Sequence, residues 1–212
     1  MSHFAILVAG DDIDEAMAPF DENIVMPKYL KATKAQLIAK GRKDNEDFAK
    51  GESYQEYIKD PKAYDEKYKE NQSHHQYIKD TQKRLNWSDE EIYQDQIKWY
   101  EPEDIGKKGG VYSTYNPKSK WDWYEIGGRW NDGLILKNGT NSNTAIKSDI
   151  DWEKMSRFYG LLIDGKWYEE AKMGWFGISY QEKNEKEWIK KYNKLIKDLP
   201  DSTLITVVDC HI

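Results

Sequence analysis

The chain of 212 residues contains one cysteine, Cys210, which excludes an internal disulfide and any cysteine-based zinc cluster. Proline is scarce, with six residues, and only four histidines occur: His3, His74, His75 and His211. None of them stands at the HxH or HxxxH spacing of a compact metal motif. Long apolar runs are missing as well. Phe4 to Ala9 is too short for a secretory core and runs into Gly10-Asp11-Asp12, and no other stretch reaches the length needed to span a bilayer. The expectation is a membrane-free protein of a reducing, cytoplasmic compartment. Charge of one sign is not concentrated anywhere. Net charge is -6 with Lys and Asp/Glu interleaved, which disfavours non-specific binding to nucleic acid.

What the chain does have is aromatic surface. Nine Trp, fifteen Tyr and five Phe offset a hydrophobic fraction of only 38%, so the composition is globular with an aromatic core. One domain over 1–212 is expected, interrupted by a helical insertion at 28–100 that is rich in Lys, Glu, Gln and Tyr.

"HFAILVA" and "TLITVVDCHI" read as strands that are apolar on both faces, and therefore central in a sheet. Between the insertion and the last strand, short β candidates recur at Trp121 to Ile126, Leu134 to Leu136, Phe158 to Ile163, Lys166 to Tyr168 and Phe176 to Tyr180. Asp164-Gly165 marks the clearest hairpin. Trp188, Ile189, Tyr192, Leu195, Ile196 and Leu199 follow helical spacing. The fold class is α+β: a mostly antiparallel sheet with first and last strands central, one C-terminal packing helix and the helical insertion. Within the insertion, Tyr29 to Ile38 is expected to be one helix, and Ser88 with Glu91 has the form of a capping box. "QEYIKD" at 55–60 and "HQYIKD" at 75–80 are read as a chance match, since two copies fall short of a stacked repeat.

Two places carry candidate chemistry. If the terminal strands pair antiparallel, His3 comes close to Asp209 and His211, which share one face of their strand. Two imidazoles and a carboxylate suit acid–base catalysis or, as an alternative, a divalent metal; otherwise no cofactor is expected. The second place is "WDWYEIGGRW" at 121–130. Strand alternation puts Trp121, Trp123 and Glu125 on one face, with Asp122, Tyr124 and Ile126 on the other. Gly127-Gly128 permits a close backbone approach, and Arg129, followed by Trp130, presents a fork of donors for phosphate or carboxylate. Such a group suits a base and its phosphate, or it is core packing around a bulge in which Arg129 pairs with Glu125 or Asp132. "MGWFG" at 173–177 reads as a packing strand, His74-His75 as a solvated helical surface, and Asp11-Asp12 as a helix cap.

The beginning "MSHFAILVAGDD", the centre "WDWYEIGGRW" and the ending "LPDSTLITVVDCHI" together resemble a family of proteins encoded by bacteriophages and prophages. The resemblance covers the first dozen residues and Trp121 to Ile212, and leaves out 28–100. It implies an accessory factor acting in the host cytosol, with counter-defence as one role, exerted by binding a nucleotide-like ligand or a host protein. Trp121, Trp123, Tyr124, Gly127, Gly128, Arg129 and Trp130 are the expected binding residues. The rival expectation is a hydrolase of a nucleotide or phosphodiester that acts through His3, Asp209 and His211, with a metal if one is bound.

Overall fold

The computed structural model describes residues 2–173, 179–180 and 184–212. The chain divides into two compact units, residues 1–25 with 115–212, and residues 26–114. The fold is α+β.

In the first unit, β1 (His3–Ala9) and β6 (Leu204–His211) pair antiparallel, from His3 opposite His211 to Ala9 opposite Ile205. They are the central strands of a six-stranded sheet whose others are β2 (Trp123–Ile126), β3 (Thr144–Ile146), β4 (Gly160–Ile163) and β5 (Lys166–Glu169). The strand order is β2-β6-β1-β4-β5, and β3 pairs with the Leu204 end of β6. Among these six strands only β1 with β4 pairs in parallel. Asp164 and Gly165 close the β4–β5 hairpin with φ of 49° and 67°, the backbone a two-residue reversal needs.

Because successive residues of a strand face opposite ways, the apolar runs in β1 and β6 supply two cores. Leu7, Leu161, Ile163, Ile205 and Val207 pack against Trp188, Tyr192 and Ile196 of a helix, α8 (Glu185–Asp198). Each such side chain contributes about 1.5–3 kcal/mol when fully buried. Asn184 caps α8 by accepting the Lys186 and Glu187 amides. On the opposite face Phe4, Ile6, Val8, Leu162, Val208 and Cys210 pack against Met17 of the short helix α1 (Ile13–Met17) and against Phe20 and Trp121. Asp12 caps α1, accepting the Glu15 amide at 2.9 Å. Burial pushes the Cys210 thiol well above its usual range.

The second unit contains the expected helical stretch in α2 (Lys34–Lys50), α3 (Glu52–Lys59), α4 (Pro61–Lys67), α5 (Gln72–Lys79), α6 (Thr81–Leu85) and α7 (Asp89–Ile97). Its cores are aromatic: Tyr54, Tyr64 and Ile78 form one, Leu37, Tyr93 and Val111 another. Ser88 and Glu91 form the capping box of α7. The helix expected from Tyr29 begins only at Lys34, because Thr33 and Gln36 make a capping box there. Tyr29–Ala32 instead pairs as a strand with Val111–Ser113. His75 is buried rather than solvated, with Nε2 on the Asp65 carboxylate. The two hexapeptides, alike at four positions, fall at the ends of α3 and α5 and diverge in environment, Ile58 being half exposed and Ile78 fully buried. The expected strand at Phe176 to Tyr180 is described only at Ser179–Tyr180, which pairs with Lys172–Met173; the rest of it, with most of "MGWFG", lies outside the described residues. No helix among the described residues is long and apolar enough to cross a membrane.

Candidate functional site

The register of the central strands assembles the polar end of the sheet. His3 stands opposite His211 and Ala5 opposite Asp209, while β2 places Trp123 beside His211 and Glu125 beside Asp209. Residues opposite one another share a face, so His3, Asp209, His211 and Trp123 meet there. His3 Nδ1 and Asp209 Oδ1 share a hydrogen bond of 2.9 Å. The other carboxylate oxygen, Oδ2, accepts the backbone N–H of Arg129 at 2.9 Å. His211 stacks on Trp123, with ring centres 5.2 Å apart and planes 17° from parallel, and meets His3 edge-on at 5.1 Å. Its Nδ1 is bonded to Asp122 Oδ1 at 2.5 Å, and its Nε2 is buried without a hydrogen-bond partner.

The Gly-Gly step explains how the Arg129 amide reaches that carboxylate. Gly127 and Gly128 have φ of 75° and 50°, turning the chain out of β2 into a single 3-10 turn, Gly128–Trp130. A Cβ on Gly127 would lie 2.5 Å from the Asn143 side chain, and one on Gly128 would lie 2.5 Å from Asp209 Cβ and Oδ2. Any larger residue would push the backbone off Asp209. Asn143 holds the far side of the turn by accepting the Asp132 amide and donating to Asn131 Oδ1.

The aromatic residues of this stretch do not form one surface. Trp121 and Trp123, expected on the same face, are on opposite faces. Trp121 is 8% exposed in the core containing Val208 and Cys210, donates Nε1–H to the Met17 carbonyl and packs edge-on to Tyr124. The reason is that Trp121 makes a lone bridge to Asp21 and regular alternation starts at Trp123. Tyr124 bonds through its hydroxyl to Asp14. Trp123 remains 43% exposed, and the exposed Arg129 has no ion pair with Glu125, Asp132 or any other described residue. His3, Asp209 and His211 do converge. Both oxygens of Asp209 and the Nδ1 of His211 are already engaged, and no group of three or more His, Cys, Asp or Glu among the described residues is arranged to hold a metal ion.

A cavity of about 630 Å³ opens beside this network. His3 lines it together with Trp130, Asn131, Lys154, Arg157 and Phe158. Trp130 is the member of the expected binding set that reaches it. Lys154 and Arg157 escape sequence reasoning because they sit on an irregular segment between β3 and β4 with no periodicity, and Phe158, expected to open a strand, precedes its start at Gly160. The available signal was two cations three residues apart just before a core strand. Lys154 is ion-paired with Asp151 at 2.7 Å, whereas the exposed Arg157 has no ion pair among the described residues. No family model, curated protein or solved structure matches this chain. Its chemistry therefore rests on its own geometry: an imidazole oriented by a carboxylate, a tryptophan ring and two cations around one cavity.

Proposed function

We propose that this protein binds a small nucleotide-like ligand in the cavity beside His3, as a phage-encoded accessory factor acting in the host cytosol, with counter-defence as its role. The observation that carries the reading is the lining itself. Arg157 and Lys154 suit a phosphate, Trp130 suits a planar ring, and a volume of about 630 Å³ lies within the range of small-molecule sites. A host protein is the other target implied by the resemblance to phage proteins; the concave lining favours the small ligand. Calorimetric titration with mononucleotides and cyclic dinucleotides tests this. The double variant Lys154→Ala/Arg157→Ala is expected to lose at least about ten-fold in affinity with an unchanged melting temperature. No binding by the parent protein, together with capture of a host protein that survives the double variant, would move the function to a macromolecular surface.

A second reading is favoured by the His3–Asp209 hydrogen bond. A carboxylate on Nδ1 orients an imidazole and leaves Nε2 to act as a base. In a hydrolase of a phosphodiester, Nε2 would take a proton from water as its oxygen bonds to phosphorus, then return a proton to the departing oxygen. His3→Asn would then abolish turnover and spare binding. Turnover that survives His3→Asn would remove this reading.

A further inference from the structure

The helical unit buries a cation that the cavity of the first unit does not explain. Arg84, in α6, is 8% exposed, yet no carboxylate among the described residues lies within ion-pairing distance of its guanidinium. Its Nη2 donates to a neutral acceptor, Thr81 Oγ1, at 2.8 Å, and its Nε is buried with no partner at all. The guanidinium lies 3.7 Å from the Tyr77 ring centre and 5.6 Å from that of Phe48. Ring faces attract a cation, but they do not supply the counter-charge that a desolvated guanidinium calls for. Buried arginines are generally paired, so one without a carboxylate is a group with unspent binding capacity.

Arg84 lines a cavity of about 640 Å³ within the helical unit. Among the other cations there, Lys40 and Lys98 are ion-paired with Asp44 and Asp95, whereas Lys83 has no ion pair among the described residues. Asp80 is the unpaired carboxylate of the lining, so Lys83 and Arg84 leave the unpaired groups with a positive excess. Two tryptophans complete the wall. Trp87 is half-buried, and Trp99 is 77% exposed, an unusual position for the largest apolar side chain.

The geometry points to a second ligand site in the helical unit, one that takes a planar molecule bearing a phosphate or carboxylate, such as a mononucleotide. Arg84 and Lys83 receive the anion, and Trp99 or Trp87 offers the ring face on which the planar part stacks. The cavity volume falls within the range of sites for ligands of that size. The competing role for Arg84 is internal packing, since its stack on Phe48 and Tyr77 ties α2 to α5 and α6. The two roles differ in what happens at Lys83, which is exposed and outside that stack.

The test is a titration of the full chain with ADP, and separately with inorganic phosphate, read by the backbone amide and tryptophan indole resonances in a heteronuclear NMR spectrum. Saturable ADP shifts are expected at Arg84, Lys83 and the Trp99 or Trp87 indole, with phosphate moving Arg84 and Lys83 at higher concentration. Lys83→Glu is expected to weaken ADP at this site about ten-fold without changing the melting temperature, and Arg84→Gln to weaken it at least as much. Lys154→Ala/Arg157→Ala, in the other unit, is expected to leave these shifts intact. No saturable shift at millimolar ADP or phosphate overturns the proposal. It is also overturned if Lys83→Glu binds as the parent does while Arg84→Gln only lowers the melting temperature, because the guanidinium then serves packing alone.

Discussion

Asp209 in the sheet and Arg84 in the helical unit are 1% and 8% exposed, and the two units hold these ionisable groups in opposite ways. Asp209 has each carboxylate oxygen answered, one by His3 and one by the Arg129 amide, and the backbone is bent through two glycines to make the second contact. Arg84 is held between ring faces with one neutral acceptor. A sheet end brings directional donors from a neighbouring strand and a turn to one point, whereas short helices packed through tyrosines present mostly ring surface.

The largest effect that sharpens this contrast is expected from Asp209→Ala. It leaves the His3 imidazole and the Arg129 amide without their acceptor, and should cost about 3 kcal/mol in urea unfolding. Gly128→Ala should follow, at about 2 kcal/mol, since a Cβ at φ 50° collides with Asp209. Faster hydrogen exchange at the Arg129 amide would show that the backbone has left the carboxylate. The smallest effect is expected from Arg84→Met, which keeps much of the packing volume and removes the charge: a change within about 1 kcal/mol, of either sign. A loss at Arg84→Met as large as that at Asp209→Ala would show instead that the ring faces stabilise the guanidinium as fully as hydrogen bonds stabilise the carboxylate.

Much of the first unit was legible because its signals are local. Apolar runs at both chain ends mark central strands, Asp164-Gly165 supplies positive φ, and Trp188, Tyr192 and Ile196 repeat at the helical period. The capping pair Ser88 and Glu91 was legible for the same reason. The strand Tyr29–Ala32 was not, since its residues also fit a helix and its partner lies about eighty residues away. Trp121 was misplaced because alternation holds only inside a ladder, and the ladder starts two residues later. His75 was misread because adjacent histidines in a polar segment give no sign of the carboxylate, Asp65, that takes one of them inward.

The candidate site divides along the same line. Pairing His3 with Asp209 required only the assumption that the terminal strands are antiparallel neighbours, and the register then did the rest. Lys154 and Arg157 reach the same cavity from an irregular segment, and no spacing along the chain places them there.

Side-chain periodicity and backbone preference over a few residues suffice to mark both terminal strands as central, the reversal at Asp164-Gly165 and the apolar face of α8. The bonds of Asp209 to His3 and to an amide, the parting of Trp121 from Trp123 and the burial of Arg84 without a counter-charge among the described residues arise only in the folded chain. Each of these depends on which groups distant segments bring together, and no spacing along the chain records that.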